Sequence, residues 1–177
     1  MKRLKLTVIY ATVFVGLLLF FTPKIYCYYA LEAQLEQFNV RIAQETVHDG
    51  GFVLRVNDGK LYYDDLYVGT FESLSIVPLL LYNQATVEHF SISKEMSRFA
   101  KGQVETLRVR HSVVSPWTLY VTAHADMGDV TAEVHLKDKN MTLLLEPSAA
   151  LLKQAPFWLQ RLKKTEAGGY VYETTFE

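Results

Sequence analysis

The chain has one cysteine, Cys27, so it closes no internal disulfide. It also lacks a surplus of either charge. The formal net charge is −1, which excludes the basic excess that phosphate-backbone binders need. There is no glycine-rich phosphate loop and no nucleophile elbow. The histidines, His48, His89, His111, His124 and His135, form no compact metal-ligand spacing. Asp64-Asp65 is the one adjacent acid pair. As strand neighbours their carboxylates would point to opposite faces. Ser91 and Ser93 stand near His89, but in-strand spacing makes no triad. The expectation is a non-enzyme with no catalytic, metal or cofactor-binding residues. Asn140-Met141-Thr142 matches a glycosylation pattern, read here as coincidence within a tight strand.

What is present is apolar and aromatic. Half the residues are apolar and 13% are Phe, Trp or Tyr, enough to build a core in a single domain. The apolar content begins early. Residues 1–5 form a basic tip with Lys2, Arg3 and Lys5. Residues 6–23 then carry no charge, about 18 positions, long enough to cross ~30 Å of hydrocarbon as a helix. The basic end is expected to stay in the cytoplasm, placing the rest in the periplasm as a single-pass inner-membrane protein. Tyr26, Tyr28 and Tyr29 stand where an aromatic belt meets headgroups. A cleaved signal peptide is the alternative, although Tyr26-Cys27-Tyr28-Tyr29 is bulky where a peptidase needs small residues. Lys24-Ile25-Tyr26 is equally unsuited to lipidation of Cys27, which reads as a structural thiol. Residues 24–39 read as a membrane-proximal helical linker, with Leu31, Leu35 and Phe38 at helical spacing.

From residue 40 to 177 the pattern is β-rich. Turn residues recur at Asp49-Gly50-Gly51, Asn57-Asp58-Gly59, Gly69, Asn83, Gly102, Met127-Gly128 and Asp138-Lys139, with short β-branched and aromatic runs between them. If Met127-Gly128 is a two-residue loop, Ala125 faces Val130, Ala123 faces Ala132, Val121 faces Val134 and Leu119 faces Leu136. If Asp138-Lys139 is the next loop, Leu136 faces Met141, Val134 faces Leu143 and Ala132 faces Leu145. One face stays apolar across three strands, so register and pleat agree. In that register His124 lies opposite Thr131 and His135 opposite Tyr120, too far apart to share a metal ion.

Upstream a phrase recurs: Tyr63-x-x-Leu66-x-Val68, Phe71-x-x-Leu74-x-Ile76, Val87-x-x-Phe90-x-Ile92 and Val104-x-x-Leu107-x-Val109. Its last two residues share a strand face, and its two-residue spacer suits a bulge or bend. Val77 to Tyr82, with Pro78-Leu79-Leu80-Leu81, reads as buried core or as a surface meeting lipid, with core preferred. Residues 147–164 read as a helix kinked or divided at Pro156, covering the sheet with Leu151, Leu152, Trp158, Leu159 and Leu162. A membrane-surface helix is the alternative there. Tyr170 to Phe176 reads as a last strand. The fold class is mainly β: an N-terminal transmembrane helix, then a curled antiparallel meander with one C-terminal helix on or near the sheet.

The basic start, the apolar segment and Asp58-Gly59-Lys60-Leu61-Tyr62-Tyr63-Asp64-Asp65-Leu66-Tyr67-Val68-Gly69 resemble the protein N family of the bacterial type II secretion system. They are also similar to the wider group of AsmA-like periplasmic proteins. Val77-Pro78-Leu79-Leu80-Leu81 matches the proline-then-leucines of that pattern, whereas Gly168-Gly169-Tyr170-Val171-Tyr172-Glu173 does not fit it. The resemblance implies an accessory or scaffold component of a secretion, pilus or DNA-uptake machine. Its partners would be other envelope-machine proteins, engaged by protein–protein contacts such as strand addition, and it would bind no nucleic acid directly. The alternative it implies is lipid handling, with a curled dry sheet face shielding an acyl chain.

Overall fold

The computed structural model describes residues 2–79, 81–96, 102–154, 159, 162–165 and 168–176. Trp158, and the side chains of Lys2, Arg3 and Cys27, lie outside the described residues.

Two helices open the chain, α1 (Lys2–Phe21) and α2 (Ile25–Gln37). Thr22-Pro23-Lys24 separates them. The Thr22 hydroxyl donates to the Leu18 carbonyl at 2.7 Å. The Lys24 ammonium donates to the carbonyls of Leu19, Phe20 (3.3 Å) and Thr22. These carbonyls have no partner within the helix, and a cation suits the negative end of its dipole. The helix therefore stops at Phe21, short of the predicted residue 23. Its uncharged part, Leu6 to Phe21, is about 24 Å long at 1.5 Å per residue. Among the described residues no helix is long and apolar enough to cross a membrane.

The predicted 24–39 linker corresponds to α2. Tyr28 is buried there and Leu35 packs on the core, whereas Tyr26, Tyr29 and Phe38 are exposed.

Thirteen strands follow among the described residues: β1 (Val40–Ala43), β2 (Thr46–Asp49), β3 (Leu54–Asn57), β4 (Lys60–Tyr63), β5 (Leu66–Thr70), β6 (Ser73–Pro78), β7 (Tyr82–Ile92), β8 (Gln103–Ser112), β9 (Ser115–Ala125), β10 (Gly128–His135), β11 (Asn140–Pro147), β12 (Lys163–Lys164) and β13 (Tyr170–Thr175). They make one open, wholly antiparallel sheet. The long β7 is its branch point. Its first part pairs with β6, which leads on to β3 and β2, while its last residues pair with β5, which leads to β4 and β1. From β7 the sheet runs as a meander through β8, β9, β10 and β11, then to β13 and β12.

The predicted three-stranded meander is present, with its register shifted by two. Val130 faces Ala123, Ala132 faces Val121 and Val134 faces Leu119. On the next pair Val130 faces Leu145, Ala132 faces Leu143 and Val134 faces Met141. A shift of two preserves the pleat, so the same residues share the dry face. The turns cause the shift. The first falls on Asp126-Met127, leaving Gly128 inside β10 at φ +127, and the second takes four residues, 136–139. Leu136 thus leaves the face and is exposed.

Of the predicted helix over 147–164, Ala149–Gln154 is helical as α3, whereas Lys163–Lys164 is the edge strand β12 on β13. Residues 155–158, 160 and 161, with Pro156 and Trp158, lie outside the described residues. β6 ends at Pro78; in the apolar run after it Leu79 is half-buried and Leu81 is 70% exposed, while Leu80 lies outside the described residues. The preference for buried core at this segment is corrected accordingly.

Two apolar clusters hold the ends. Tyr28, Ile42, Leu54, Val56, Phe71 and Leu74 form one, joining α2 to the branched part of the sheet. Leu145, Leu151 and Leu159 form the other at the C-terminal end.

Candidate functional site: an open apolar face

The register extends the dry face far beyond the predicted three strands. Starting at β3, Leu54 faces Ile76, Ile76 faces Ala85, Ala85 faces Val109 and Val109 faces Val121. Val121 then faces Ala132, Ala132 faces Leu143 and Leu143 faces Tyr172. A parallel row runs Val56, Leu74, Val87, Leu107, Ala123, Val130, Leu145 and Tyr170. Two adjacent apolar rows thus cross eight strands without a charged residue.

The recurring phrase keeps the rows in phase, and its spacer works as expected. His89 in β7 has φ +51, and β8 shifts register between Val104 and Thr106. Each bulge takes up one residue, so Val87 and Phe90 share a face, as do Val104 and Leu107. In the first copy the spacer is the Asp64-Asp65 turn, both residues at positive φ (+51 and +63). This corrects the reading of Asp64 and Asp65 as strand neighbours: they are the two central residues of the β4–β5 hairpin.

Cover over these rows is uneven. α2 closes the β3 end through Tyr28 and Leu35. At the other end Leu151, Leu159 and Leu162 lie over Leu145, Val130, Leu143 and Tyr170. Of the predicted cover, Leu152 instead faces solvent at 48% exposure. Between the two caps Val109, Leu119, Val121, Ala123, Val134 and Met141 are half-buried and belong to neither cluster. Ala132 is buried among them. A groove of about 280 Å³ opens beside this stretch at the end of β6, β7 and β8, lined by Ile76, Pro78, Asn83, Gln84, Ala85, Val109 and His111, with Ile76 and Ala85 also packed on the α2 cluster.

The opposite face is polar. Thr86, Arg108, Thr122 and Thr131 stand in one row across β7 to β10. His124 faces Asp129, not Thr131, with Nδ1 2.9 Å from Oδ1. His135 faces Thr118, not Tyr120. His89 contacts Glu72 at 3.0 Å on the surface. Among the described residues no three metal-binding side chains converge.

Three titratable groups near the α2 cap are perturbed. The Tyr28 hydroxyl lies 3.0 Å from Glu45 Oε1 and 3.3 Å from Glu32 Oε1. Burial, then the neighbouring carboxylates, push the phenol well above its usual range. Desolvation also raises Glu32. Asp49, by contrast, is lowered, chiefly by the Gly51 N–H it accepts at 2.9 Å and then by the Lys24 N–H at 2.7 Å. The Tyr28–Glu45 and Lys24–Asp49 contacts tie the start of α2 to the residues on either end of β2.

The part of the face on β3, β6, β7 and β8 was only faintly legible. Its signal was the Leu74-x-Ile76 and Leu107-x-Val109 endings of the recurring phrase. Comparison with protein-family models, with curated proteins and with solved structures finds no match to this chain.

Proposed function

We propose that this chain is a membrane-tethered, non-enzymatic lipid-handling protein. It holds an acyl chain against its open apolar sheet face on the periplasmic side of the inner membrane. The observation that carries this reading is the half-covered middle of the two apolar rows. A soluble sheet face of that extent is ordinarily packed over or occupied, and here its middle strands lie under neither cap while a groove opens beside them at the end of β6, β7 and β8.

The tether rests on α1. Leu6, Ile9, Tyr10, Val13, Phe14, Leu17, Leu18 and Phe21 are all exposed. A helix apolar on every side has no face suited to water. Its uncharged run is about 24 Å against ~30 Å of hydrocarbon. Local thinning of the bilayer makes up that difference. The basic end orients the sheet domain outward.

The test is a photoactivatable residue at Val109 in the full chain, irradiated in membranes. A lipid-mass adduct at Val109, absent when the residue sits at exposed Arg108 on the other face, supports the reading. Equal labelling at both positions, or none, rules it out.

A second reading keeps the scaffold role that the resemblance implies. It is favoured by one observation: β12 pairs only with Tyr170 and Val171, so on the side away from β11 Tyr172 to Thr175 have no strand partner among the described residues. Strand addition there would recruit an envelope-machine protein. The edge is short, and Lys163 and Lys164 flank it, which disfavours indiscriminate pairing. Crosslinking from Thr174 to one defined partner would support it.

A further inference from the structure

Three loops at one end of the sheet share an unusual composition. The β2–β3 turn is Gly50-Gly51-Phe52-Val53, the β6–β7 link is Leu79-Leu80-Leu81, and the β8–β9 link is Val113-Val114 leading to Ser115-Pro116-Trp117. None of these three carries a charge, whereas the β10–β11 turn at the same end, Leu136-Lys137-Asp138-Lys139, carries three and meets Trp117 through the Leu136 N–H, which donates to the Trp117 carbonyl at 2.8 Å. The register brings the three uncharged loops to the same end. Leu54 faces Ile76, so the β2–β3 turn lies beside the end of β6, while Pro78 faces Asn83 and Tyr82 faces Ser112. The Val113 N–H donates to the Leu81 carbonyl at 3.2 Å, joining the last two loops directly.

These loops expose what loops usually hide. Leu81 is 70% exposed, Val114 88% and Trp117 60%, and Phe52 and Tyr82 are also exposed. Isolated exposed apolar residues need no explanation, but a contiguous patch marks an interaction surface.

The end of α1 says which surface. The Phe20 ring meets the Phe52 ring edge-on, centroids 5.2 Å apart. The Lys24 N–H, just beyond α1, donates to Asp49 at the base of the same turn. The apolar helix therefore leaves the sheet domain from the end where the uncharged loops lie. Trp and Tyr favour the headgroup boundary, where an apolar body and a polar tip are both accommodated. The groove beneath Pro78, Asn83 and Val109 opens next to these loops.

We infer that the rim formed by Phe52, Leu81, Tyr82, Val113, Val114 and Trp117 dips into the outer leaflet boundary of the membrane that α1 enters. It holds the mouth of the apolar groove at the level of the acyl chains. This deepens the lipid-handling proposal and rests on its tether: α1 fixes the domain to the membrane, and the rim fixes its orientation. An acyl chain then passes from bilayer to groove without crossing water.

The test uses the full chain with Trp158→Phe, so that Trp117 is the one tryptophan, reconstituted in phosphatidylethanolamine–phosphatidylglycerol vesicles. Lipids carrying a nitroxide quencher near the headgroup should remove most of the Trp117 emission, and that emission should lie to the blue of a solvated indole. A quencher deep in the acyl chain should remove less. Replacing Leu81 and Val114 together by Asp should shift Trp117 emission to the red and lift the quenching while the chain stays in the membrane through alkaline washing. A red, unquenched Trp117 in a chain that resists alkaline washing overturns the rim and leaves the tether standing. A chain that alkaline washing removes overturns the tether, and the rim with it.

Discussion

Phe20 at the end of α1 and Phe52 at the tip of the β2–β3 hairpin meet edge to face, their centroids 5.2 Å apart at an interplanar angle of 61°. This contact, with the Lys24–Asp49 hydrogen bond beside it, fixes where the apolar helix joins the sheet. The Gly51 backbone, at φ +83, passes so close that a Cβ there would overlap the Phe20 ring. Gly51→Ala is therefore expected to loosen the joint by two routes, steric overlap and left-handed strain. Limited proteolysis between residues 21 and 25 should accelerate, while far-ultraviolet circular dichroism of the sheet stays unchanged.

Asp49 makes the same joint sensitive to acid. Its folded pKa is lowered, mainly by the Gly51 N–H and next by the Lys24 N–H. A lowered pKa contributes stability that is present above the unfolded value of about 3.9 and is lost as pH falls through the folded value. The proteolytic site between residues 21 and 25 should thus open below about pH 4. Asp49→Asn should open it at neutral pH and remove most of the acid dependence.

Glu32 has the opposite sign. Desolvation raises its folded pKa, so its contribution is fully present below the unfolded value and lost as pH rises through the folded one. Glu32→Gln should flatten that part of the stability profile and stabilise the chain at neutral pH, measured by urea unfolding between pH 4 and 8. An unchanged profile would contradict the desolvation argument.

Leu54 is fully buried at the centre of the α2 cluster. Leu54→Ala should cost about 2–5 kcal/mol, read as a lower urea midpoint. At the other hairpin, Gly128 has φ +127, and a Cβ would overlap the Glu146 carbonyl oxygen of β11. Gly128→Ala should cost about 1–3 kcal/mol and raise amide exchange first along β10 and β11.

The sequence made the faces legible more readily than the registers. Period-2 alternation marks Val121, Ala123, Ala132, Val134 and Leu143 as one face whichever turn is chosen, because the competing registers differ by two. It did not distinguish Asp126-Met127 from Met127-Gly128 as the turn. That choice depends on Gly128 fitting under the Glu146 carbonyl, a contact between strands. The branch at β7 was hidden for the same reason: pairing of Gly69 with Ile92 and of Leu74 with Val87 is non-local. Helical periodicity over 147–164 hid the edge strand at Lys163-Lys164, whose pairing with Val171 and Tyr170 is non-local. The run around Leu81 read as core because composition alone does not tell a buried apolar residue from an exposed one.

The open middle of the apolar face is the central claim, and native mass spectrometry of the full chain released from gentle detergent tests it most directly. The expected result is a bound phospholipid on the unaltered chain and its loss in Val109→Asp, with the β-sheet circular dichroism of the two proteins alike. A lipid-free unaltered chain, or lipid retained equally by Val109→Asp, would contradict the account.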